Sequence, residues 1–192
     1  MTTSRSFDPP DQPSPWVVCL DLQRDPSAGQ ETPDLRRRIG ICRVLLTQVR
    51  QAGWPLTHVL RRPSGPGECR LQPIEGLQPR PFEPVIFRPG LSAFSSDRFQ
   101  DLVETARGDD VILMSVALGP ACLATVLDAH DRGIRVTLVE DTLSANAIAA
   151  APADTVRRVL LGVAGQFVRP TTSTGLIERL LADGRPVAAN EC

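Results

Sequence analysis

The sequence contains no lysine and no tyrosine. All 21 of its basic residues are therefore arginine, and no ε-amino group is present to serve as a catalytic acid, base or Schiff-base former. Histidine is scarce as well. His58 and His130 lie far apart, neither with a carboxylate at ligand spacing, so no metal centre is expected. No G-x-G-x-x-G follows the first predicted strand, which argues against a dinucleotide-binding domain, and no cofactor is assigned. The five cysteines, Cys19, Cys42, Cys69, Cys122 and Cys192, show no C-x-x-C spacing. With no signal peptide and no apolar run of membrane-spanning length, a reducing cytoplasm is the expected location. A formal net charge of -1 gives no bias towards nucleic acid or membranes, so the expected partner is a small molecule, a second copy of the chain, or both.

What is present is a chain of 192 residues with 42% hydrophobic content, enough for one domain with a substantial core. Residues 1–15 are rich in Pro, Ser and Asp and are expected to form a disordered arm, and residues 184–192 a flexible tail, leaving 16–183 as the folded unit. WVVCLDLQ predicts a buried strand that ends by presenting Asp21 and Gln23. Thr32, Pro33 and Asp34 supply an N-cap, an N1 proline and a first-turn acid for a helix running to Ala52, with Leu35, Ile39, Cys42, Leu46 and Val49 as its apolar stripe. Gly53 stops it. WPLTHVL predicts a second strand, Pro63 to Pro84 a long surface excursion able to cover a pocket, and PVIFR a third strand. A Pro-Gly turn then leads to Ser92 and Phe94, and Ser96 or Asp97 caps a helix bearing Phe99, Leu102 and Val103 that Gly108 ends.

Asp110 to Asp141 is the organising unit: strand Val111–Met114, a helix opened by Gly119 and Pro120 and closed by Gly133, and a second β-branched run from Ile134 to Val139. A small-residue loop, a helix around Thr155 to Ala164, a strand-like FVR and a last helix near Leu176 to Leu181 complete the chain. The alternation implies an α/β fold: a three-layer, doubly wound, mainly parallel six-stranded sheet of order 3-2-1-4-5-6. In that order the end of the first strand and the turn after the fourth share one crevice, which brings Asp21 to Ser115–Cys122.

Three stretches together, CLDLQ, FRPGLSAF and SVALGPACLATVLDAHDRGIRVTLVED, resemble the isochorismatase-like hydrolases from Trp16 to Phe167. They match that family's strand ending in D-x-Q, its K-x-x-x-SAF, and its long motif around the catalytic cysteine. The resemblance implies a triad of Asp, Lys and Cys in the amidase members. Asp21 falls on the Asp, Arg88 on the Lys and Ala121 on the Cys, when Thr125, Asp128 and Ala129 anchor the match; Cys122 comes one residue later, about 100° further round the helix. The true isochorismatases, which carry G-C-L where this chain has Ala121-Cys122-Leu123, work without the cysteine. There the Asp protonates a vinyl ether and water completes the cleavage. The resemblance further implies a cis peptide between Val116 and Ala117, an oxyanion hole from the N–H groups of the Val116-Ala117-Leu118 turn, and Leu118 in place of a Thr.

The resulting expectation is a hydrolase for a small, planar or carboxylated molecule, with Asp21 as acid/base, Arg88 holding an anionic group, and Gln23, Phe94, Val116, Ala117 and Leu118 binding substrate. Its alternative is a catalytically silent homologue that binds a ligand or another subunit. A concave pocket reached by Asp21 favours the first; a pocket filled by Leu118, Leu91 and Phe94 favours the second. Cys122, His58 and Trp54 have packing roles as their plain reading. The resemblance also implies a homo-oligomer.

Overall fold

A computed structural model describes residues 15–24, 31–62, 71–105 and 110–182. The predicted arm up to residue 14, the tail and Gly108 lie outside them; Pro15, the last residue of the predicted arm, is buried. Six strands form the main sheet: β1 (Trp16–Leu20), β3 (Leu56–Arg61), β5 (Val85–Arg88), β6 (Val111–Met114), β7 (Val136–Val139) and β8 (Arg169–Thr171). All neighbours run parallel in the order β5-β3-β1-β6-β7-β8. Counting these six alone, that is 3-2-1-4-5-6, as the alternation of strand and helix requires.

β1 is buried along its whole length because it is sandwiched on both faces, and its alternate side chains feed two cores. Val17 and Cys19 pack towards α1 (Pro33–Gln51) and α5 (Ser173–Ala182), with Ile112 and Met114 of β6. Trp16, Val18 and Leu20 pack towards the other face, with α2 (Asp97–Thr105), α3 (Pro120–Asp131) and α4 (Ala153–Ala164). The Thr32 hydroxyl accepts from the Leu35 N–H at 3.1 Å and caps α1, a contact typically worth ~1 kcal/mol. The stripe on α1 is wider than its apolar spacing predicts. Leu45 is buried too, and so is Arg38, whose guanidinium reaches Asp34 at 2.7 Å and the Asp141 carbonyl at 3.1 Å. Gly53 ends the helix at φ +67, a backbone conformation that favours glycine.

The excursion from Pro63 to Pro84 is not merely superficial. Within its described part, β4 (Gln72–Pro73) pairs antiparallel with β2 (Gln23–Arg24), and Ile74 and Leu77 are buried in the α1-side core. Polar and proline-rich composition hid two apolar anchors that hold the segment over the end of β1. Near the C-terminus β8 starts two residues later than FVR suggests, and α5 begins at Ser173, whose N–H and hydroxyl both bind the Asp141 carboxylate. No helix among the described residues is long and apolar enough to cross a membrane.

Candidate active site

At the carboxyl ends of the strands, β1 and β6 are neighbours whose following crossovers lead in opposite directions, β1 through α1 to β3 and β6 through α3 to β7. Such a divergence leaves a crevice. Asp21 follows β1 directly and adopts φ +49, while its N–H donates to the Val59 carbonyl at 2.9 Å. Aspartate tolerates this left-handed backbone better than most non-glycine residues. The sharp turn lets Leu22 return to the core while the carboxylate stays partly accessible, with 20% of its side chain exposed.

Arg88, the last residue of β5, lies almost wholly buried against that carboxylate. Its Nε donates to Asp21 Oδ1 at 3.1 Å, its Nη2 to Oδ2, and its Nη1 to the Gly90 carbonyl. This is a fork-to-fork pair, the geometry in which arginine holds a carboxylate most firmly. Each Asp21 oxygen thus accepts from the guanidinium and keeps further acceptor capacity.

A cleft of about 310 Å³ opens beside the pair. It brings together Asp21, Gln23, Arg88, Ala117, Ala121 and Cys122 from distant parts of the chain. Gln23 is occupied structurally: its amide accepts from the Arg61 N–H at 2.8 Å and donates to the Arg61 and Leu71 carbonyls at 3.3 and 3.4 Å. Arg61, Ser115 and Asn146 also line the cleft. Ser115 opens the stretch expected at this crevice, and Arg61 could have been suspected from ending strand β3; Asn146, alone among small residues in its loop, carries no motif that would single it out.

Cys122 is 1% exposed, and burial first, then the nearby Asp21 charge, push its thiol up to about 12. The thiolate needed for nucleophilic attack is therefore scarce near neutral pH. Burial likewise raises the free thiols of Cys19 and Cys42, the latter to about 12.

Three residues expected to bind substrate beside Asp21 do not line its cleft. Phe94 is buried in the core with its ring edge-on to Phe99, 5.0 Å between centroids, and is no part of the cleft. Val116 packs into the core on the α1 side, and Leu118, 2% exposed, lines an adjoining cavity instead. The Val116–Ala117 peptide is trans, since no described peptide bond is cis. The Leu118 N–H is moreover taken by the Ser144 carbonyl at 2.7 Å, and the Ser144 N–H returns to the Val116 carbonyl at 2.9 Å. The turn is thus stitched to the loop after β7, and its expected oxyanion hole is not formed. Free donors lie one step on, in the first turn of α3, where helix geometry leaves the Ala121 and Cys122 N–H groups without intrahelical acceptors and Gly119 supplies no capping side chain.

The plain readings elsewhere hold. Trp54 is buried away from the cleft, and His58 is fully buried, its Nε2 2.9 Å from Glu83 Oε2. His130 stands edge-on to Phe167 at 5.1 Å. Among the described residues no group of three or more His, Cys, Asp or Glu could hold a metal ion.

Residues 15–174 match the family model of the isochorismatase domain. No curated protein matches the chain. Among solved structures, the chain is similar to an isochorismatase from Pseudomonas putida (TM-score 0.74, 23% identity, 88% of this chain and 93% of that one). It is also similar to a cysteine hydrolase from Pseudomonas syringae (TM-score 0.77, 17% identity, 95% and 100%) and to an isochorismatase-like hydrolase from Alkaliphilus metalliredigens (TM-score 0.70, 17% identity, 86% and 99%). At these identities the likeness is one of fold, while the family model spans most of the chain. By that match, and with a sheet order and crevice that agree with it, the chain belongs to the isochorismatase family.

Proposed function

We propose that this chain is a hydrolase that cleaves a C–N or C–O bond of a small molecule by direct attack of water, with Asp21 as the general base. The observation that carries this reading is a carboxylate fixed by a two-pronged Arg88 pair and still reached from an open cleft. Of the three residues that could fill that cleft, Leu118 and Phe94 lie outside it, and Leu91 lines it while leaving it open. Ala121, at the position resembling the family's cysteine, offers no nucleophile, and Cys122 is a protonated core thiol, so neither position supplies the thiolate of a thioester route.

Water would give one proton to Asp21 as its oxygen bonds to the carbonyl carbon. The developing oxyanion would lie against the N–H groups of Ala121 and Cys122, and the proton would pass from Asp21 to the leaving group as the C–N or C–O bond breaks. Arg88 acts here as a positioning residue. Three of its five N–H donors are engaged by Asp21 and Gly90, which supports a clamp on the carboxylate as its main role.

A ligand-binding, catalytically silent homologue is the second reading, favoured by the internal partners that already engage Gln23 and Arg88. Hydrolysis of a panel of small amides, esters and vinyl ethers by the wild type, Asp21→Asn and Cys122→Ser decides between them. Turnover that is lost in the Asp21 variant and kept in the Cys122 variant is the expected result. Loss in both would restore the thiol as nucleophile, and absence of turnover throughout would leave the silent homologue.

A further inference from the structure

A second cavity, of about 340 Å³, adjoins the Asp21 cleft. Ala117, Gly119, Pro120 and Asn146 line both, so the two chambers share a wall made almost entirely of backbone and small side chains. Gly119 sits at the junction, where an added Cβ would meet nothing within 4 Å. The first chamber holds the charged and amide groups. The second is bounded by Leu118, Leu123, Ile148, Val156 and Leu160.

These residues are held in place rather than loosely gathered. Leu118 is fixed by its N–H bond to Ser144, and Val156 and Leu160 lie one turn apart on α4. Ile148 exchanges two backbone hydrogen bonds with Ala151, at 3.1 and 2.9 Å, around Ala149 at φ +49, which seats its largely exposed side chain at the chamber's edge. An apolar chamber beside a carboxylate that could direct water suits a ligand with one polar, cleavable end and one apolar end. Together the chambers fall in the size range of ordinary small-molecule sites.

Resting on the hydrolase reading above, we propose that the second chamber is a substrate subsite and that the substrate is an ester or amide carrying one apolar arm of roughly four to six carbons, a length set by burying each methylene in an apolar wall. The carbonyl lies in the Asp21 cleft, and the arm passes Gly119 and rests against Leu118, Ile148, Val156 and Leu160. The reaction is the one already written: water adds to the carbonyl carbon, Asp21 carries the proton, and an acid and an alcohol or amine leave.

Two ester series test this, methyl acetate, butyrate and hexanoate for the acyl arm, and methyl, butyl and hexyl acetate for the other, with acid release followed by pH-stat. Specificity should rise by ~3- to 4-fold in kcat/KM per added methylene, along one series, before levelling. Two variants should flatten that slope: Ile148→Asp, which places a charge at the edge of the chamber from a site exposed enough to tolerate it, and Gly119→Val, which narrows the junction at an ordinary backbone geometry. The readout is the ratio of long to short substrate.

Turnover with no chain-length dependence, or with a slope that both variants leave intact, overturns the subsite and spares the hydrolase. If neither these esters nor the matching amides turn over, calorimetric titration with hexanamide and acetamide takes the place of the rate measurement. Tighter hexanamide binding that Ile148→Asp weakens supports the apolar subsite while the hydrolase reading fails; equal binding overturns both. A fall in solution mass in Ile148→Asp by analytical ultracentrifugation, with selectivity unmoved, identifies the patch as a contact between copies and overturns the subsite.

Discussion

Among the described residues, two largely buried arginines fork onto carboxylates, and the two carboxylates are satisfied to different degrees. Asp21 accepts from Arg88 alone among the described residues and sits on a strained backbone at the mouth of a cleft. Glu83, just before β5, accepts Arg50 Nε and Nη2 at 2.7 and 2.8 Å and the Arg80 N–H at 2.8 Å, with His58 Nε2 at 2.9 Å. A carboxylate has about four acceptor positions. At Glu83 four contacts crowd the two oxygens, three on Oε2 and one on Oε1, so the group is a structural knot. At Asp21 about half remain, and they are what water or a substrate proton would use. Pair chemistry is the same at both, and Glu83 and Arg50 also line a cavity, of about 630 Å³; unsatisfied acceptor capacity, rather than open volume, distinguishes the site from the strut.

The largest expected effect breaks the Asp21 side. Asp21→Asn keeps a side chain that tolerates the left-handed backbone and removes the base, so kcat/KM should fall by ~10²- to 10⁴-fold; the buried Arg88 loses its countercharge as well, so the urea midpoint should also drop. Glu83→Gln should lower the urea midpoint alone. Arg50 would lose its countercharge in a nearly dry site, at about 3 kcal/mol of stability by urea denaturation, with the cleft chemistry untouched.

Acid sharpens the contrast. Burial alone would raise Glu83, but the bonds from Arg50, the Arg80 N–H and His58 outweigh it and hold the carboxyl near 2. Burial first lowers His58, against the pull of Glu83. Both folded-state values lie below the unfolded ones, so the unfolded chain binds more protons and stability is lost as pH falls. The loss should begin below the ordinary histidine range as His58 resists protonation, and continue from the ordinary glutamate range down to about pH 2. Glu83→Gln should flatten the lower part of the curve of urea midpoint against pH.

Much of the fold was legible because the strands are short apolar runs punctuated by glycine, proline and cap residues, and because parallel strands with helical crossovers admit few orders. Asp21, Arg88, Ala117, Ala121 and Cys122 were placed at one crevice by topology and by motif together. Other features escaped for identifiable reasons. Phe94 looks like a stacking residue in sequence, yet the 3₁₀ turn Ala93–Ser95 directs it into the core beside Phe99. The buried Glu83–Arg50–His58 knot joins residues 25 to 33 positions apart that share no pattern. Asn146 and the apolar chamber arise from a loop whose path is fixed by backbone bonds to Val116 and Leu118, which side-chain identity does not encode.

The smallest expected effect concerns Cys122, which borders the cleft yet belongs energetically to the core. Cys122→Ala removes one buried sulfur from a helix face packed on β1 and β6, with a cost of about 1 kcal/mol in urea denaturation. Turnover should stay within about twofold, because only the backbone N–H of this residue is asked to serve the reaction and alanine retains it. The native protein should also leave Cys122 unalkylated by iodoacetamide at pH 7, where a thiol raised to about 12 is almost wholly protonated, and label it only on unfolding. Rapid labelling of the folded chain, with loss of turnover in step, would instead mean that the sulfur reaches the cleft. The contrast would then lie between two reactive groups sharing one crevice, with Asp21 the partner of a nucleophile rather than the director of water.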